Sequence, residues 1–426
     1  MRGLRLDNKK SMSLSDEIID FSNPSRVYVP LINGNTICKC TVKEGKKVKK
    51  GTIVGKREDI DFPILSPVSG TVVGIKKCLY SNGEEVDSVV IVNDKKETLV
   101  RNVDVSNITN YTKEEFIELL RKCGITGMGG SDFPTFLKYK NELNVLIVNA
   151  VECEPYITSD AMLCKLKADI ILESINAIMK INNISKCFIA YKKNNNMVKN
   201  AFLKYINNYE NITLYPVKNM YPAGWERHVI KSVLNITYDR FPSEVGVVVN
   251  NVSTIFAIYK VLKYKRGITK RIVTISGEGF SDPVNILVKN GTNMSTVVKK
   301  IGTYNGGENL KFIAGGPMMG NALPSDSVIA TNRLSAITIL NDTFDEINEC
   351  MGCGRCMRVC PANLCPVFIL KNLDNKDKLK ELQVEKCVEC GLCSYICPSK
   401  IGLRDAVILA KSEVRKWNLK KKMDHI

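Results

Sequence analysis

Two matching cysteine runs near the C-terminus constrain this chain more than any other feature. Each has the spacing Cys-x-x-Cys-x-x-Cys-x-x-x-Cys-Pro, and the cysteines are Cys350, Cys353, Cys356 and Cys360 in the first run and Cys387, Cys390, Cys393 and Cys397 in the second. This spacing binds a cubane iron–sulfur cluster, and in paired runs the fourth cysteine ligates the neighbouring cluster. We therefore predict one [4Fe–4S] cluster on Cys350, Cys353, Cys356 and Cys397, and a second on Cys387, Cys390, Cys393 and Cys360.

Two zinc knuckles are the alternative interpretation of these cysteines. Zinc sites commonly use two Cys-x-x-Cys pairs. They do not need a third cysteine at the same spacing, or a cysteine directly before Pro361 and Pro398. The spacing therefore favours iron–sulfur ligation, which makes electron transfer the predicted function.

The composition indicates a globular protein of several domains. The chain has 426 residues, of which 44% are hydrophobic and 25% charged, and one hydrophobic core rarely serves so long a chain. No uncharged apolar run approaches the ~20 residues that a membrane span needs, so we expect no transmembrane segment. The 16 cysteines suit a reducing cytoplasm better than a disulfide framework.

The formal net charge of +17 favours acidic partners, because long-range electrostatics steers opposite charges together. A ferredoxin or another acidic electron carrier, a nucleotide phosphate and an anionic membrane face all fit the cluster chemistry. We expect no nucleic-acid partner, because the sequence has no nucleic-acid-binding motif and no aromatic–basic platform.

Residues 37–75 alternate like short strands around glycine and proline turns. Their paired Val-x-x-Gly turns are similar to the small barrel of biotinyl and lipoyl carrier domains. Those carriers expose a modifiable lysine beside Met or Ala at a hairpin tip, whereas this chain has Lys56-Arg57-Glu58-Asp59. We predict a structural barrel that carries no swinging arm.

Strands alternate with helices in the next part of the chain. A helix is predicted over residues 112–123 with Thr112 as its N-cap, and strands are predicted at Val145–Val148, Cys187–Tyr191 and Val245–Val249. This alternation favours a parallel α/β sheet, which binds its ligand at the carboxyl ends of its strands.

Polar residues follow two of these strands. Glu152 comes shortly after the first strand, and Asn250 and Asn251 come after the third. We interpret them as candidate ligand-binding residues, although Glu152 and Glu154 are also explained as ordinary loop carboxylates.

A glycine-rich loop at residues 124–130 contains Gly127, Gly129 and Gly130. Glycines let a backbone approach a phosphate or flavin closely and present consecutive N–H groups to it. The loop lacks the Rossmann fingerprint, because a helix precedes it and Asp132 takes the third glycine's position, and it lacks the P-loop Gly-Lys-Ser/Thr. A loop of this kind is by itself more often a plain turn than a ligand site. Its interpretation as a cofactor site therefore depends on the polar residues at the strand ends.

Residues 271–320 indicate a compact mixed sheet. Strands are predicted at Ile272–Gly277, Val284–Val288 and Phe312–Gly316, with one helix at Ser295–Ile301. Ser325 to Glu346 is predicted to be a connector, and Lys376–Leu382 is predicted to be a helix.

Four motifs, taken together and in this order, carry a resemblance over nearly the whole chain. They are Gly-Gly-Ser-Asp-Phe-Pro-Thr at 129–135, Glu-Cys-Glu-Pro-Tyr-Ile-Thr at 152–158, Gly-Gly-Pro-Met-Met-Gly at 315–320 and the double cysteine run. The chain resembles the RnfC family, the peripheral NADH-oxidising subunits of Rnf electron-transport complexes. Its flavin core is also similar to the NADH-oxidising flavoprotein subunit of respiratory complex I.

The resemblance implies a multidomain α/β and α+β fold. The expected domains are a barrel-sandwich hybrid at 1–100, a Rossmann-like FMN/NADH domain at 101–265, a β-grasp (SLBB-like) module at 266–335 and a dicluster ferredoxin domain at 336–426. The implied cofactors are FMN, NAD(H) and two [4Fe–4S] clusters.

The resemblance also implies roles for individual residues. Gly127, Gly129 and Gly130 are expected to cradle FMN, with Asn149 and Glu152 beside the flavin and Asn250 and Asn251 near its ribityl-phosphate. Glu154 and Phe133 are expected to face the nicotinamide nucleotide, and Glu152 and Glu154 are the candidate catalytic residues.

Two departures from the family pattern stand out. Ser131-Asp132 replaces the usual Ala-Gly, which places a carboxylate where a dinucleotide is expected to approach. Tyr221 to Glu226 is closer to RnfC-like proteins of cobalamin-reducing and D-proline reductase systems. The single thiols Cys153 and Cys365 are interpreted as small buried residues.

Two functional hypotheses follow. The first is an oxidoreductase subunit docked on the cytoplasmic side of the membrane, in an ion-translocating ferredoxin:NAD oxidoreductase complex with other Rnf subunits as partners. The second is a soluble cytoplasmic electron-transfer protein of the same fold that feeds a dedicated reductase, such as proline reductase or a cobalamin reductase.

Overall fold

The computed structural model describes residues 2–15, 17–100, 107–306, 309–341 and 346–423. An N-terminal barrel, a parallel α/β sheet, a mixed sheet and a small helical unit that carries the cysteine runs follow one another along the chain.

Antiparallel strands form the barrel. The first strand of the chain, β1 (Ile19–Phe21), is not part of the barrel and pairs with the mixed sheet described below. The barrel strands are β2 (Arg26–Pro30), β3 (Ile32–Asn33), β4 (Thr36–Ile37), β5 (Lys39–Cys40), β6 (Lys47–Val48), β7 (Ile53–Arg57), β8 (Phe62–Leu65), β9 (Gly70–Leu79) and β10 (Glu85–Asn93). They pair in the orders β2-β10-β9-β6, β5-β7-β8 and β3-β4. Lys56 lies inside β7 and forms an ion pair with Asp61, so it is not a carrier lysine at a hairpin tip.

The second unit alternates helices with strands. Its elements are α1 (Lys113–Lys122), β11 (Val145–Ala150), α2 (Ser159–Ile181), β12 (Lys186–Lys192), α3 (Asn196–Leu203), β13 (Ile212–Val217), α4 (Glu226–Leu234), β14 (Val247–Asn251) and α5 (Val252–Tyr264). All four strands are parallel, in the order β13-β12-β11-β14. Asn149 is in register with Ala190 and Asn251, so the strands end together at what we call the carboxyl edge.

Local chemistry explains where these elements begin. The Thr112 hydroxyl accepts a hydrogen bond from the backbone N–H of Glu115, whose carboxylate accepts one from the N–H of Thr112, which is a capping box. This confirms the predicted N-cap of α1. Strand β14 begins two residues later than predicted, because Pro242–Val245 forms a 3₁₀ turn that ends at Gly246 with φ +66°.

Helices cover both faces of the parallel sheet, because successive strand residues point to opposite sides. Leu146 and Val148 of β11 pack with α1, α2 and α5 in one core. Ile147 packs with Val229 and Ile230 of α4 in the other.

The third unit is a six-stranded mixed sheet with the helix α6 (Ser295–Ile301). Its strands after β1 are β15 (Lys270–Ser276), β16 (Val284–Lys289), β17 (Leu310–Ala314), β18 (Asn321–Leu323) and β19 (Ala336–Asn341), in the order β1-β16-β15-β19-β17-β18. The connector predicted from Ser325 to Glu346 was wrong over β19, whose residues pair with β15 and β17. Ala336, Ile337 and Ile339, which are buried apolar residues, account for this strand. The sheet therefore continues past residue 335, and residues 342–345 of the connector lie outside the described part.

Four short helices around the cysteine runs and one long C-terminal helix form the last unit among the described residues. They are α7 (Arg355–Val359), α8 (Pro366–Leu370), α9 (Lys376–Glu381), α10 (Leu392–Tyr395) and α11 (Leu403–Met423), and α9 occupies the predicted helix at 376–382. Ile369, Leu379 and Val414 are fully buried in its core.

The N-terminal segment, residues 2–13, ties three of these units together. The Arg2 guanidinium donates to the carbonyl of Met357 in the last unit. Leu4 pairs with Tyr221 in the α/β unit, and the Ser13 carbonyl accepts from Asn285 in the mixed sheet at 2.8 Å.

Candidate functional site

The predicted site residues gather at the carboxyl edge. Asn149 lies near the end of β11, and its side-chain amide donates to the carbonyl of Gly224 at 2.8 Å while its oxygen accepts from the N–H of Val151 at 3.1 Å. The first strand end is thereby fixed to the loop before α4.

Glu152 lies two residues past β11, and both of its carboxylate oxygens are bound. Oε2 accepts from Lys10 Nζ at 3.2 Å, and Oε1 accepts from the backbone N–H of Asp160 at 2.8 Å. Its side chain is only 6% exposed, and burial raises its pKa above the usual range despite the nearby Lys10 ammonium. Glu152 therefore joins the N-terminal segment to the start of α2.

The glycine loop lies against the start of α5. The N–H of Met128 donates to the Thr254 hydroxyl at 2.9 Å. A Cβ on Gly129 would lie 3.3 Å from the Cβ of Asn251, so only glycine allows this close approach without adjustment, whereas Gly130, at φ +97°, faces open space. The loop and the third strand end thus meet, as the sequence predicted.

Asn250 and Asn251 are the last two residues of β14 rather than residues that follow it. The amide of Asn250 donates to the buried hydroxyl of Tyr139. The amide of Asn251 donates to Asp160 Oδ2 at 2.6 Å, and the Ser253 hydroxyl donates to Asp160 Oδ1 at 2.6 Å. Asp160, which the sequence analysis missed, therefore links Asn251 to Glu152.

Two lysines at the carboxyl edge were also missed. Lys138 donates to the carbonyl of Val249 at 2.7 Å and lies 3.5 Å from Glu226. Lys192, the last residue of β12, is 7% exposed, and within the described ranges its ammonium has neither a hydrogen bond nor an ion pair. Burial, followed by the Lys10 charge, lowers the pKa of Lys192. The rule that selected Glu152 and Asn250, applied to the end of β12, would have found Lys192.

Asp132 faces the barrel rather than an open ligand site. Its carboxylate accepts from the N–H of Gly34 at 3.1 Å and from the Asn33 amide at 3.3 Å. The residue is 7% exposed, and burial raises the pKa of its carboxyl. Its φ of +51° lies in the left-handed region, which favours glycine and which aspartate tolerates better than most other residues.

Phe133 and Glu154 differ in exposure. The Phe133 side chain, 39% exposed, is open to an aromatic partner. Glu154 Oε1 lies 3.0 Å from the Tyr221 hydroxyl, and Oε2 accepts from the N–H of Met318 at 3.2 Å. A Cβ on Gly316 would collide with this carboxylate, which explains the glycine in that motif.

The Tyr221 hydroxyl connects the carboxyl edge to the cysteine runs. It lies 2.7 Å from the carbonyl of Cys390 and 3.0 Å from Glu154. A hydroxyl carries one proton, so Tyr221 bonds both groups only when Glu154 is protonated and donates to it. Burial raises the pKa of Glu154 to about 7, which makes that form available near neutral pH.

The eight motif cysteines line two separate cavities. The first, of about 280 Å³, is lined by Cys350, Cys353, Cys356 and Cys397, together with the extra thiol of Cys365. The second is lined by Cys360, Cys387, Cys390 and Cys393. Each cavity thus combines three cysteines of one run with the fourth of the other.

Backbone N–H groups point at two thiols of the second cavity. The N–H of Leu364 donates to Cys360 Sγ and that of Glu389 donates to Cys387 Sγ, both at 3.3 Å. Such bonds favour the thiolate that binds iron. In the described part of the chain, no three His, Cys, Asp or Glu side chains are placed to hold a single metal ion.

Three stretches of the chain match known domain families. Residues 1–96 match the RnfC barrel sandwich hybrid domain, residues 120–260 the Nuo51 FMN-binding domain and residues 349–401 the 4Fe-4S dicluster domain. The C subunit of the proton-translocating ferredoxin:NAD(+) oxidoreductase complex of Clostridium ljungdahlii is 31% identical over 397 residues, which cover 90% of this chain and 86% of that protein. The chain belongs to the RnfC family. The resemblance inferred from the four motifs is thereby confirmed.

Other relatives of this chain are also C subunits of ion-translocating oxidoreductase complexes. The corresponding protein of the Na(+)-translocating ferredoxin:NAD(+) oxidoreductase complex of Acetobacterium woodii is 29% identical over 358 residues, covering 81% of each chain. Its counterpart in the ion-translocating oxidoreductase complex of Vibrio cholerae is 31% identical over 399 residues. The chain spans 51% of that last relative's length.

The residues at the carboxyl edge of this RnfC-family chain fit FMN. The open space at Gly130 leaves room for a ligand beside the glycine loop. The buried ammonium of Lys192, which has no partner among the described residues, and the ammonium of Lys138 supply positive charge for a phosphate. The two cysteine cavities likewise supply four thiols each, the ligand number that a [4Fe–4S] cluster needs.

The raised pKa of Glu154 predicts a pH-dependent stability. The folded protein holds a proton between about pH 4.5 and 7 that the unfolded chain has lost, so this group's contribution to stability falls as pH rises through that window. Glu154→Gln stays neutral, so its free energy of unfolding relative to wild type should increase between pH 4.5 and 8, by on the order of 3 kcal/mol. Urea unfolding at several pH values measures this difference, and the exposed Glu58→Gln is the control. An equal offset at every pH would contradict the assignment.

Proposed function

We propose that this chain passes electrons between NAD(H), FMN and two [4Fe–4S] clusters as a subunit of a membrane-associated, ion-translocating ferredoxin:NAD oxidoreductase complex. The observation that carries the proposal is the Tyr221 hydroxyl, which lies within hydrogen-bonding distance of both Glu154 and the Cys390 carbonyl. Bound flavin would supply the exchange between the paired electrons of a hydride and the single electrons of the clusters.

We assign the FMN site to the carboxyl edge. Gly127, Gly129 and Gly130 would present their backbone to FMN, with Asn149 beside the flavin and Asn250 and Asn251 near the ribityl-phosphate. The proximity of the loop to Asn251 supports this assignment. Because both oxygens of Glu152 are bound by Lys10 and Asp160, its role would be to fix the edge next to the flavin.

Lys138 and Lys192 are the cations that we add to this site. Both lie at the same edge of the sheet, and Lys192 lacks a protein partner among the described residues, so an anionic cofactor would neutralise it. Phe133 and Glu154 would face the nicotinamide nucleotide. The exposure of the Phe133 ring suits it to stack on a base.

We also propose the finer fold assignments. The parallel strand order β13-β12-β11-β14 supports a Rossmann-like domain over residues 101–265. The mixed sheet with its single helix supports a β-grasp, SLBB-like module that begins near residue 266 and includes β19, with the barrel before residue 100 and the dicluster domain after the mixed sheet.

The names of the relatives supply the proposed partners. These are the other subunits of an Rnf-type complex, with ferredoxin as the acidic carrier that a positively charged chain attracts. No described helix is both long and apolar enough to cross a membrane. Because the named relatives belong to ion-translocating complexes, we propose peripheral attachment at the cytoplasmic face of the membrane.

Co-purification distinguishes this role from the soluble alternative. The tagged chain, expressed in its own host and extracted with mild detergent, should bring down integral membrane subunits of an ion-translocating complex. Recovery in the soluble fraction with a dedicated reductase would contradict the membrane role and favour the second hypothesis. Mass spectrometry of the recovered proteins decides between the two.

Lys138→Ala should weaken FMN binding about tenfold, because it removes one charged hydrogen-bond donor. The flavin dissociation constant, measured by fluorescence quenching, checks this prediction. Lys140→Ala removes a nearby exposed cation and should leave the constant unchanged. Equal effects of both variants would show that Lys138 has no specific contact with FMN.

Cysteine variants test the crossed ligation. Cys397→Ser should remove the cluster held by the first run's three cysteines, and Cys360→Ser should remove the other. Cys365→Ser, in the same cavity as Cys397, should retain both clusters. Iron content and electron paramagnetic resonance of the reduced protein report the loss. The assignment would be contradicted if Cys397→Ser kept all eight irons while Cys365→Ser lost a cluster.

A further inference from the structure

A separate cavity of about 380 Å³ lies behind the glycine loop. It is bounded by α2 and α5 on one side and by β15, β16 and the segment around β1 on the other. Met128 reaches it from the loop, but none of the residues proposed to hold FMN or the clusters lines it. Small-molecule sites commonly occupy such junctions between units, and this volume lies within their usual range.

The polar lining of this cavity is strongly basic. Lys167, Lys260, Lys270 and Arg271 line it, and Asp20 is the one acid among its lining residues. Asp20 accepts from the N–H of Ser22, and Lys270 donates to the Ser22 hydroxyl. The cavity therefore holds positive charge that its own residues do not neutralise.

Arg271 is the most deeply buried of these cations, with 4% of its surface exposed. Its Nη1 donates to the backbone carbonyls of Thr331 and Asn332. Within the described ranges Nη2 has no hydrogen-bond partner and no carboxylate pairs with the guanidinium. A buried guanidinium with an unused donor favours a ligand anion that accepts from it.

Lys260 lies beside an aromatic wall. Its ammonium is 4.5 Å from the centre of the Phe256 ring, and it forms no ion pair with any residue that the structure describes. Burial, followed by the charge of Lys270, lowers the pKa of Lys260 to about 8. Phe256 therefore offers a ring next to a cation.

The remaining wall is apolar. It is built from Leu163 and Leu166 of α2 and Leu287 of β16. Helix α2 is interrupted here, because Lys167 has the non-helical angles φ −139° and ψ 27°. The cavity thus combines an apolar surface with unneutralised cations.

We propose that this cavity binds a small aromatic anion, with its ring against Phe256 and Leu163 and its phosphate or carboxylate on Lys260 and Arg271. The ring would bury apolar surface, and the anion would complete the hydrogen bonding of Arg271. Such a ligand would touch Met128 and so lie directly behind the proposed FMN loop. This site is independent of the FMN and cluster assignments.

Pyridoxal 5′-phosphate is a suitable probe, because it is an aromatic phosphate that also reports which lysine it meets. Its aldehyde condenses with a neutral amine to an imine with loss of water, and cyanoborohydride reduces that imine to a stable secondary amine. The protein is labelled anaerobically with FMN and clusters present, so that the flavin covers Lys138 and Lys192. Peptide mapping should place saturable labelling on Lys260.

Protection by competing anions identifies the ligand class. 4-Nitrophenyl phosphate should protect Lys260 at concentrations at least about tenfold below those of inorganic phosphate, because only the former has a ring. Benzoate tests the carboxylate in the same way. Phe256→Ala should raise the protecting concentration of 4-nitrophenyl phosphate about tenfold, whereas Lys263→Ala, one turn along α5 and outside the cavity, should not change it.

Three results would overturn the proposal. One is labelling spread over exposed lysines without saturation. Another is protection by inorganic phosphate equal to that by 4-nitrophenyl phosphate, and the third is an equal effect of Phe256→Ala and Lys263→Ala. If FMN failed to bind, labels would instead appear on Lys138 or Lys192. A failure of the proposed FMN site is therefore distinguishable from a failure of the proposed anion site.

Discussion

The carboxyl group of Glu154 is bonded by groups from two other parts of the chain, and the arrangement of the proposed electron path depends on these bonds. One oxygen meets the Tyr221 hydroxyl, which also reaches the Cys390 carbonyl, and the other accepts from the N–H of Met318 in the turn between β17 and β18. Removing these contacts would leave a buried carboxyl group unsatisfied, at a cost of about 1–3 kcal/mol. Through Tyr221, the same group helps to hold the last unit against the carboxyl edge.

Local patterns in the sequence were sufficient for the cysteine sets. The two-residue spacing of each run requires a tight turn, and the crossed fourth cysteine follows from the pairing of two runs. The two cavities gather the same eight residues in the same two groups. Thr112 and its helix are similar cases, because a capping box involves only neighbouring residues.

Contacts between distant segments could not be predicted in this way. Lys10 reaches Glu152 across 142 positions, and Asp132 is held by Asn33 and Gly34 of the barrel. A carboxylate expected to meet a ligand is instead enclosed by protein, since burial depends on which unit docks on the loop. Lys192 is different, because its place at a strand end was visible in the sequence.

Anaerobic titration of the loaded protein with NADH tests the central claim most directly. The flavin absorbance should bleach and the reduced-cluster resonance should grow in the same sample, up to about two equivalents of NADH per chain, since flavin takes two electrons and each cluster one. The contradicting result is bleached flavin with both clusters still oxidised, in a sample whose clusters dithionite reduces.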